Sequence, residues 1–164
     1  MEPPAWSHSY IQWLLLDLGR RTGHDVWVAP ADRNRTVGTV RLGDICLDHI
    51  PTVLPQRSRA VMEQVDVIWF PAGRPHPTAF YEVEHSTNII NGLLRMSDLL
   101  STLPPPLRGW RFTIVAPARR LSHFEAELTR PTFRITGLAG TCRFLSYDEL
   151  LEQHRTALDR KAAR

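Results

Sequence analysis

Val65-Asp66-Val67-Ile68-Trp69-Phe70 and Ala79-Phe80-Tyr81-Glu82-Val83-Glu84-His85, joined across Pro71 to Thr78, decide the fold of this chain. Both stretches are rich in β-branched and aromatic residues, and the joint contains Pro, Gly and His, so they predict a hairpin of two strands. Side chains alternate faces along a strand, which puts Glu82 and Glu84 on one face and His85 on the other. Asp66 stands among Val65, Val67, Ile68 and Trp69. An acid in such a setting is costly to bury unless positive charge accompanies it. No lysine lies nearby, since Lys161 is the only one in the chain. A divalent cation would neutralise the three acids.

Working outward, Ser86-Thr87-Asn88 offers caps for a helix whose apolar face is Ile89, Ile90, Leu93, Leu94, Met96 and Leu100, stopped by Pro104-Pro105-Pro106. Trp110 to Ala116 reads as a strand. A strand parallel to its predecessor needs a crossover, and the helix from Asn88 to Leu103 is long enough to be one. Before the hairpin, Ala5 to Arg21 repeats apolar residues at helical spacing and His24 to Ala29 reads as a short strand. After it come a helix at Ala118–Thr129 ended by Pro131, a strand at Thr141–Leu145 and a helix at Tyr147–Arg160. Ser146 and Glu149 occupy the capping-box positions of that last helix. The order predicts one domain over residues 1–164, an α/β/α sandwich with a central mixed β-sheet.

The hairpin with its following helix resembles the PD-(D/E)xK nuclease superfamily. Its pattern is an Asp at the start of one strand, then an acid, any residue and a Lys on the next. Asp66 matches the first acid and Glu82 the second, while Glu84 stands where the Lys usually does. Some type II restriction enzymes carry such a Glu-x-Glu variant. The resemblance implies a restriction-endonuclease-like fold and a metal-dependent endonuclease acting on DNA, in a restriction or defence system. It implies that Asp66, Glu82 and the carbonyl of Val83 hold Mg²⁺, for which Mn²⁺ can substitute, and that Asp66, Glu82 and Glu84 are catalytic. Glu84 is then either a second-metal ligand or the general base on the attacking water. The competing reading is a catalytically inactive nuclease-like module that binds nucleic acid or a partner protein, and the acid at position 84 is the feature that favours it.

The remaining residues set the partners. Hydrophobic residues are 43% and charged residues 23% of the chain, ordinary for a folded domain of 164 residues and unlike a disordered segment. The longest apolar runs are too short to cross a bilayer, so a cytoplasmic protein is expected. Cys46 and Cys142 have no zinc-site spacing and read as reduced, structural thiols. The basic side is almost all Arg, whose planar fork suits phosphate, although a net charge of +3 is modest. Residues 31–60 carry dispersed arginines and turn-forming residues, which makes them the candidate DNA-facing excursion, with a solvated loop carrying incidental charges as the alternative. Arg33, Arg35, Arg57, Arg59 and Arg95 are the candidate nucleic-acid contacts. Specificity is expected from that segment, from a homodimer or from a partner specificity subunit. Gln12 and Asp17 on the first helix are further polar candidates, Asp17 reading as a solvated residue.

Overall fold

In the computed structural model, which describes residues 6–51, 54–85, 88–102 and 109–163, the central element is a five-stranded mixed sheet. Its strands are β1 (His24–Val28), β4 (Val67–Pro71), β5 (Ala79–Val83), β6 (Arg111–Ala116) and β7 (Cys142–Ser146), adjacent in that order, and a separate two-stranded hairpin is formed by β2 (Thr36–Val37) and β3 (Val40–Arg41). The helices are α1 (His8–Arg21), α2 (Gln56–Met62), α3 (Ile89–Thr102), α4 (Leu121–Leu128), α5 (Pro131–Ile135) and α6 (Tyr147–Ala162).

The acid-bearing stretches do pair as an antiparallel hairpin, Val67 opposite Tyr81 and Trp69 opposite Ala79. β5 then pairs β6 in parallel through the α3 crossover, with Val83 beside Val115. β1 and β4 are antiparallel and β6 and β7 parallel. Alternation divides the sheet into two cores. Val26, Val28, Trp69, Tyr81, Val83 and Val115 pack beneath α1 and α6, whereas Ile68, Phe70, Phe80, Phe112 and Ile114 pack against residues of α2, α3, α4 and α5. Helices therefore cover both faces, which is why the strands read as nearly continuous apolar runs.

Local chemistry explains the boundaries. Ser7 caps α1 by accepting the Tyr10 N–H, and Thr22 with Gly23 at φ 87° ends it. Asn88 Oδ1 accepts the Ile90 N–H at the start of α3, while Ser86, Thr87 and Pro104–Pro106 lie outside the described residues. The capping box at Ser146 and Glu149 is formed in full. Residues 31–60 differ from the expected excursion. They form a 3-10 turn at Pro30–Asp32, the β2–β3 hairpin, another 3-10 turn at Leu42–Ile45, and α2, which packs on α3 with Ser58 and Met62 fully buried. Pro131 does not simply end a helix; it is the first residue of α5, where its missing N–H costs nothing. Both cysteines are free thiols, and burial pushes each up to about 12, so they stay protonated.

Candidate active site at the carboxyl end of the sheet

Topology brings the acids together. β5, β6 and β7 run parallel, and their carboxyl ends share one edge of the sheet with the start of β4 and the end of β1. Open α/β sheets bind their ligands at such an edge, because loops and helix ends meet there without blocking the strands. Asp66 immediately precedes β4, and Glu84 immediately follows β5. α1 runs back antiparallel to β1, so its first turn returns to the same edge with His8, and Gln12 lies one turn further along the same face.

Glu82 is the centre of this arrangement. Its side chain points to the α3 face, where it is 1% exposed. Arg95 of α3 reaches it with one guanidinium nitrogen, 2.8 Å from Oε1 and 2.7 Å from Oε2. Burial raises the Glu82 carboxyl well above the usual carboxylate range, and the charges of Asp66 and Glu84 push it the same way, against the pull of Arg95. Asp66 and Glu84 are therefore near enough to act on Glu82 by charge. Glu84, 6% exposed, shares the face, as alternation requires. A Cβ added at Gly92 of α3 would stand 2.7 Å from Glu84 Oε1 and 3.2 Å from Glu82 Cβ, so glycine lets the helix approach both acids. The Glu84 backbone is fixed on both sides, its N–H donating to Val115 at 2.9 Å and its carbonyl accepting from Arg120 at 3.0 Å.

Asp66 is held in the plane of the sheet rather than on a face. Its Oδ2 accepts the Val83 N–H at 2.7 Å, beyond the last β4–β5 pair. The N–H and C=O of one strand residue point to the same side, so the Val83 carbonyl is also directed towards Asp66. On its other side Asp66 meets His8 Nε2 at 3.6 Å, and Asp32, from the turn after β1, lies 4.0 Å from the same nitrogen. Burial lowers the basicity of His8, but the adjacent Asp66, and then the charges of Asp32 and Glu84, outweigh it and raise its pKa. Gln12, fully buried, donates through Nε2 to Asp32 at 2.9 Å, and its Oε1 has no hydrogen-bond partner among the described residues.

Among the candidates read from sequence, Asp66 is bonded to the Val83 N–H and Glu82 to Arg95, and Asp66 and Glu84 act on Glu82 by charge, while the three ligand atoms that lie within 4.8 Å of one another among the described residues are those of His8, Asp32 and Asp66. Arg33 instead holds the segment after the second 3-10 turn, donating to the Leu47 carbonyl at 3.0 Å with its guanidinium 5.2 Å from the centre of the Trp27 ring. Arg35 pairs with Asp32 at 3.1 Å and keeps much of its side chain in solvent. Arg57 is exposed and Arg59 half-buried, both on α2. His85 is directed to the opposite face, stacked on Tyr147 with Nδ1 3.1 Å from its hydroxyl. Asp17 is not a solvated residue: it bonds Arg21 and, at 2.7 Å, the buried His154 of α6. His8 and Asp32 escaped sequence reading, because the rest of α1 and the whole of β1 separate them in the chain. The one available signal was Gln12, a polar residue at helical spacing from His8 among apolar neighbours.

A cavity of about 870 Å³ lies at the other end of the sheet between α1 and α6, where it is lined by Arg20, Arg21, Arg111 and Arg160. Acids are absent there except Glu152. Chemistry rather than concavity therefore marks the candidate site.

With the geometry in view, comparison with known proteins is decisive on family. Residues 3–162 match the model of the Type II restriction enzyme NmeDI C-terminal domain. The chain belongs to that family. It is also 33% identical over 136 residues to the Type II restriction enzyme NmeDI of Neisseria meningitidis serogroup C, an alignment covering 77% of this chain and 37% of the relative. The chain thus spans little more than a third of the length of that enzyme. No solved structure matches it. No helix of the described residues is long and apolar enough to cross a membrane.

Proposed function

We propose that this domain is the metal-dependent DNA-cleaving domain of a restriction enzyme, of the PD-(D/E)xK kind in its Glu-x-Glu form. The observation that carries the reading is a carboxylate 1% exposed, Glu82, set with Asp66 and Glu84 at the carboxyl edge of the sheet of a chain in a restriction-enzyme family. Three acids drawn together at such cost are poorly explained by stability, because each raises the energy of its neighbours. A hard divalent cation relieves that repulsion, and Asp66, Glu82 and the Val83 carbonyl supply the oxygen donors that Mg²⁺ prefers. When bound, Mg²⁺ or Mn²⁺ would polarise the scissile phosphate and acidify water.

The remaining steps belong to the chain. Glu84, close enough to Glu82 to raise its pKa, accepts the proton of the attacking water as general base. Arg95 supplies the fixed positive charge that Lys gives in the commoner pattern, since the neighbouring helix delivers a guanidinium to the acid the Lys would have approached. Arg35 and Arg57, the more exposed of the candidate arginines, contribute backbone contacts to DNA, with selectivity supplied by a second copy or a specificity subunit.

The second reading, an inactive nuclease-like module, rests on the acid at position 84. Incubating the protein with plasmid and single-stranded DNA, in Mg²⁺ or Mn²⁺ and in EDTA, separates the two. EDTA-sensitive cleavage by wild type, lost in Asp66→Asn while salt-sensitive DNA binding persists, is the expected result. Binding without cleavage in every metal would select the inactive module.

A further inference from the structure

We propose that His8, Asp32 and Asp66 form a second divalent-cation site, selective for Mn²⁺ over Mg²⁺, beside the Asp66–Glu82 site and joined to it by Asp66. It rests on the functional reading above but uses residues that reading does not. One ligand atom from each of the three side chains lies within 4.8 Å of the other two. The His8 nitrogen is 3.6 Å from Asp66 Oδ1 and 4.0 Å from Asp32 Oδ2. Donors about 2.1 Å from a shared ion lie roughly 3 to 4 Å from one another, so little movement closes the set.

A pair of acids with a histidine is not by itself a site, and Gln12 is the independent observation. Its side chain is fully buried, its amide is aimed at the cluster by the bond to Asp32, and its Oε1 has no partner among the described residues. A buried amide oxygen left without a donor is costly. A cation held by Asp32 would place positive charge, or a metal-bound water, where that oxygen needs it. His8, half-buried, leaves the cluster open to solvent and therefore to a substrate phosphate.

Selectivity follows from donor chemistry. An imidazole favours Mn²⁺ and the later transition ions over Mg²⁺, whereas the Asp66–Glu82 pair with the Val83 carbonyl is all oxygen. Asp66 offers one carboxylate oxygen to His8 and the other towards β5, where it accepts the Val83 N–H. It is therefore placed to bridge two ions, the arrangement that stabilises both attacking and leaving oxygens in two-metal phosphoryl chemistry.

The test is calorimetric titration of the apo protein with MnCl₂ and with MgCl₂, alongside Asp32→Asn, His8→Gln and Glu82→Gln. Wild type is expected to bind two Mn²⁺ but one Mg²⁺. Asp32→Asn and His8→Gln should each bind one Mn²⁺ with Mg²⁺ binding unchanged, and Glu82→Gln should lose the Mg²⁺ site while keeping one Mn²⁺. Circular dichroism melts of both cluster variants confirm that each is folded when titrated. Two Mn²⁺ retained in folded Asp32→Asn and His8→Gln would overturn the second site and leave the functional reading standing. A single Mn²⁺ in wild type that is insensitive to Asp32→Asn would overturn it as well. Loss of Mn²⁺ in the cluster variants with no effect of Glu82→Gln would keep the second site and sink the assignment of Glu82.

Discussion

At the scale of single residues, the position that departs from the common nuclease pattern is the most informative. Glu84 is 6% exposed, shares a face with Glu82 and lies where a Cβ at Gly92 would collide with it. As general base, its removal in Glu84→Ala should lower cleavage by about 10² to 10⁴-fold, the contribution of a positioned base, with DNA binding preserved or improved because one negative charge is gone. Glu84→Lys should retain more activity than Glu84→Ala, since it restores the commoner signature. Cleavage kinetics of the two variants check this, and unchanged cleavage in Glu84→Ala would make Glu84 a bystander. Gly92→Ala tests the same geometry from the helix: displacement of the Glu84 carboxylate should cost activity roughly tenfold or more, beyond the modest loss of stability expected because the new Cβ would stand 3.1 Å from Ile114 Cδ1 and 3.2 Å from Glu82 Cβ. Equal losses of activity and stability would show instead that the added methyl group disrupts the packing of α3.

At the scale of elements, the pairing of α1 with α6 decides whether His8 and Gln12 reach the sheet edge. Asp17 of α1 bonds Arg21 and the buried His154 of α6. Burial opposes ionisation of Asp17, but the bonds to Arg21 and His154 win and hold its carboxyl below the usual range. A carboxylate with a depressed folded pKa contributes stability above its unfolded pKa and loses it as pH falls through the folded value. Asp17→Asn should therefore destabilise the fold at neutral pH by about 1 to 2 kcal/mol, discounted for partial solvent access, and the difference should shrink as pH falls below the ordinary carboxylate range. Urea midpoints of both proteins across pH measure it, and a pH-independent difference would contradict the ionic origin.

These elements also show what sequence reading can and cannot reach. The hairpin, the α3 crossover, β6 and the Ser146–Glu149 capping box were all legible, because strand alternation, helical spacing and caps act within a few residues. α2 and α5 were not legible, being seven and five residues long, with too few turns to show a period. The acids Asp66, Glu82 and Glu84 stood out by their apolar surroundings, whereas Asp32 sits in a turn full of polar residues and gains meaning only because β1 ends beside β4. Arg33 shows the other side of charge reading, since its guanidinium bonds the Leu47 carbonyl, pairs with Asp48 and lies over the Trp27 ring.

At the scale of the whole molecule, the sheet separates chemistry from support. Acids gather at the carboxyl edge, and the opposite end carries the arginine-lined cavity between α1 and α6. Ion binding to the folded state alone stabilises it by mass action, so Mg²⁺ at a hundred times its dissociation constant should add about 2.7 kcal/mol, read as a raised melting temperature that EDTA reverses. Glu82→Gln should abolish that response while keeping the side-chain volume and an amide oxygen for Arg95. A metal response that survives in Glu82→Gln would place the ion elsewhere.

The central claim, that the buried carboxylates at the sheet edge cut DNA through a bound cation, is tested most directly by single-turnover plasmid cleavage with wild type and Glu82→Gln, in Mg²⁺ and in EDTA. The account predicts cleavage by wild type in Mg²⁺, none in EDTA, and a loss on the order of 10³-fold or more in Glu82→Gln despite its intact fold. Cleavage of equal rate in the two proteins, or cleavage by wild type that EDTA does not stop, would contradict it.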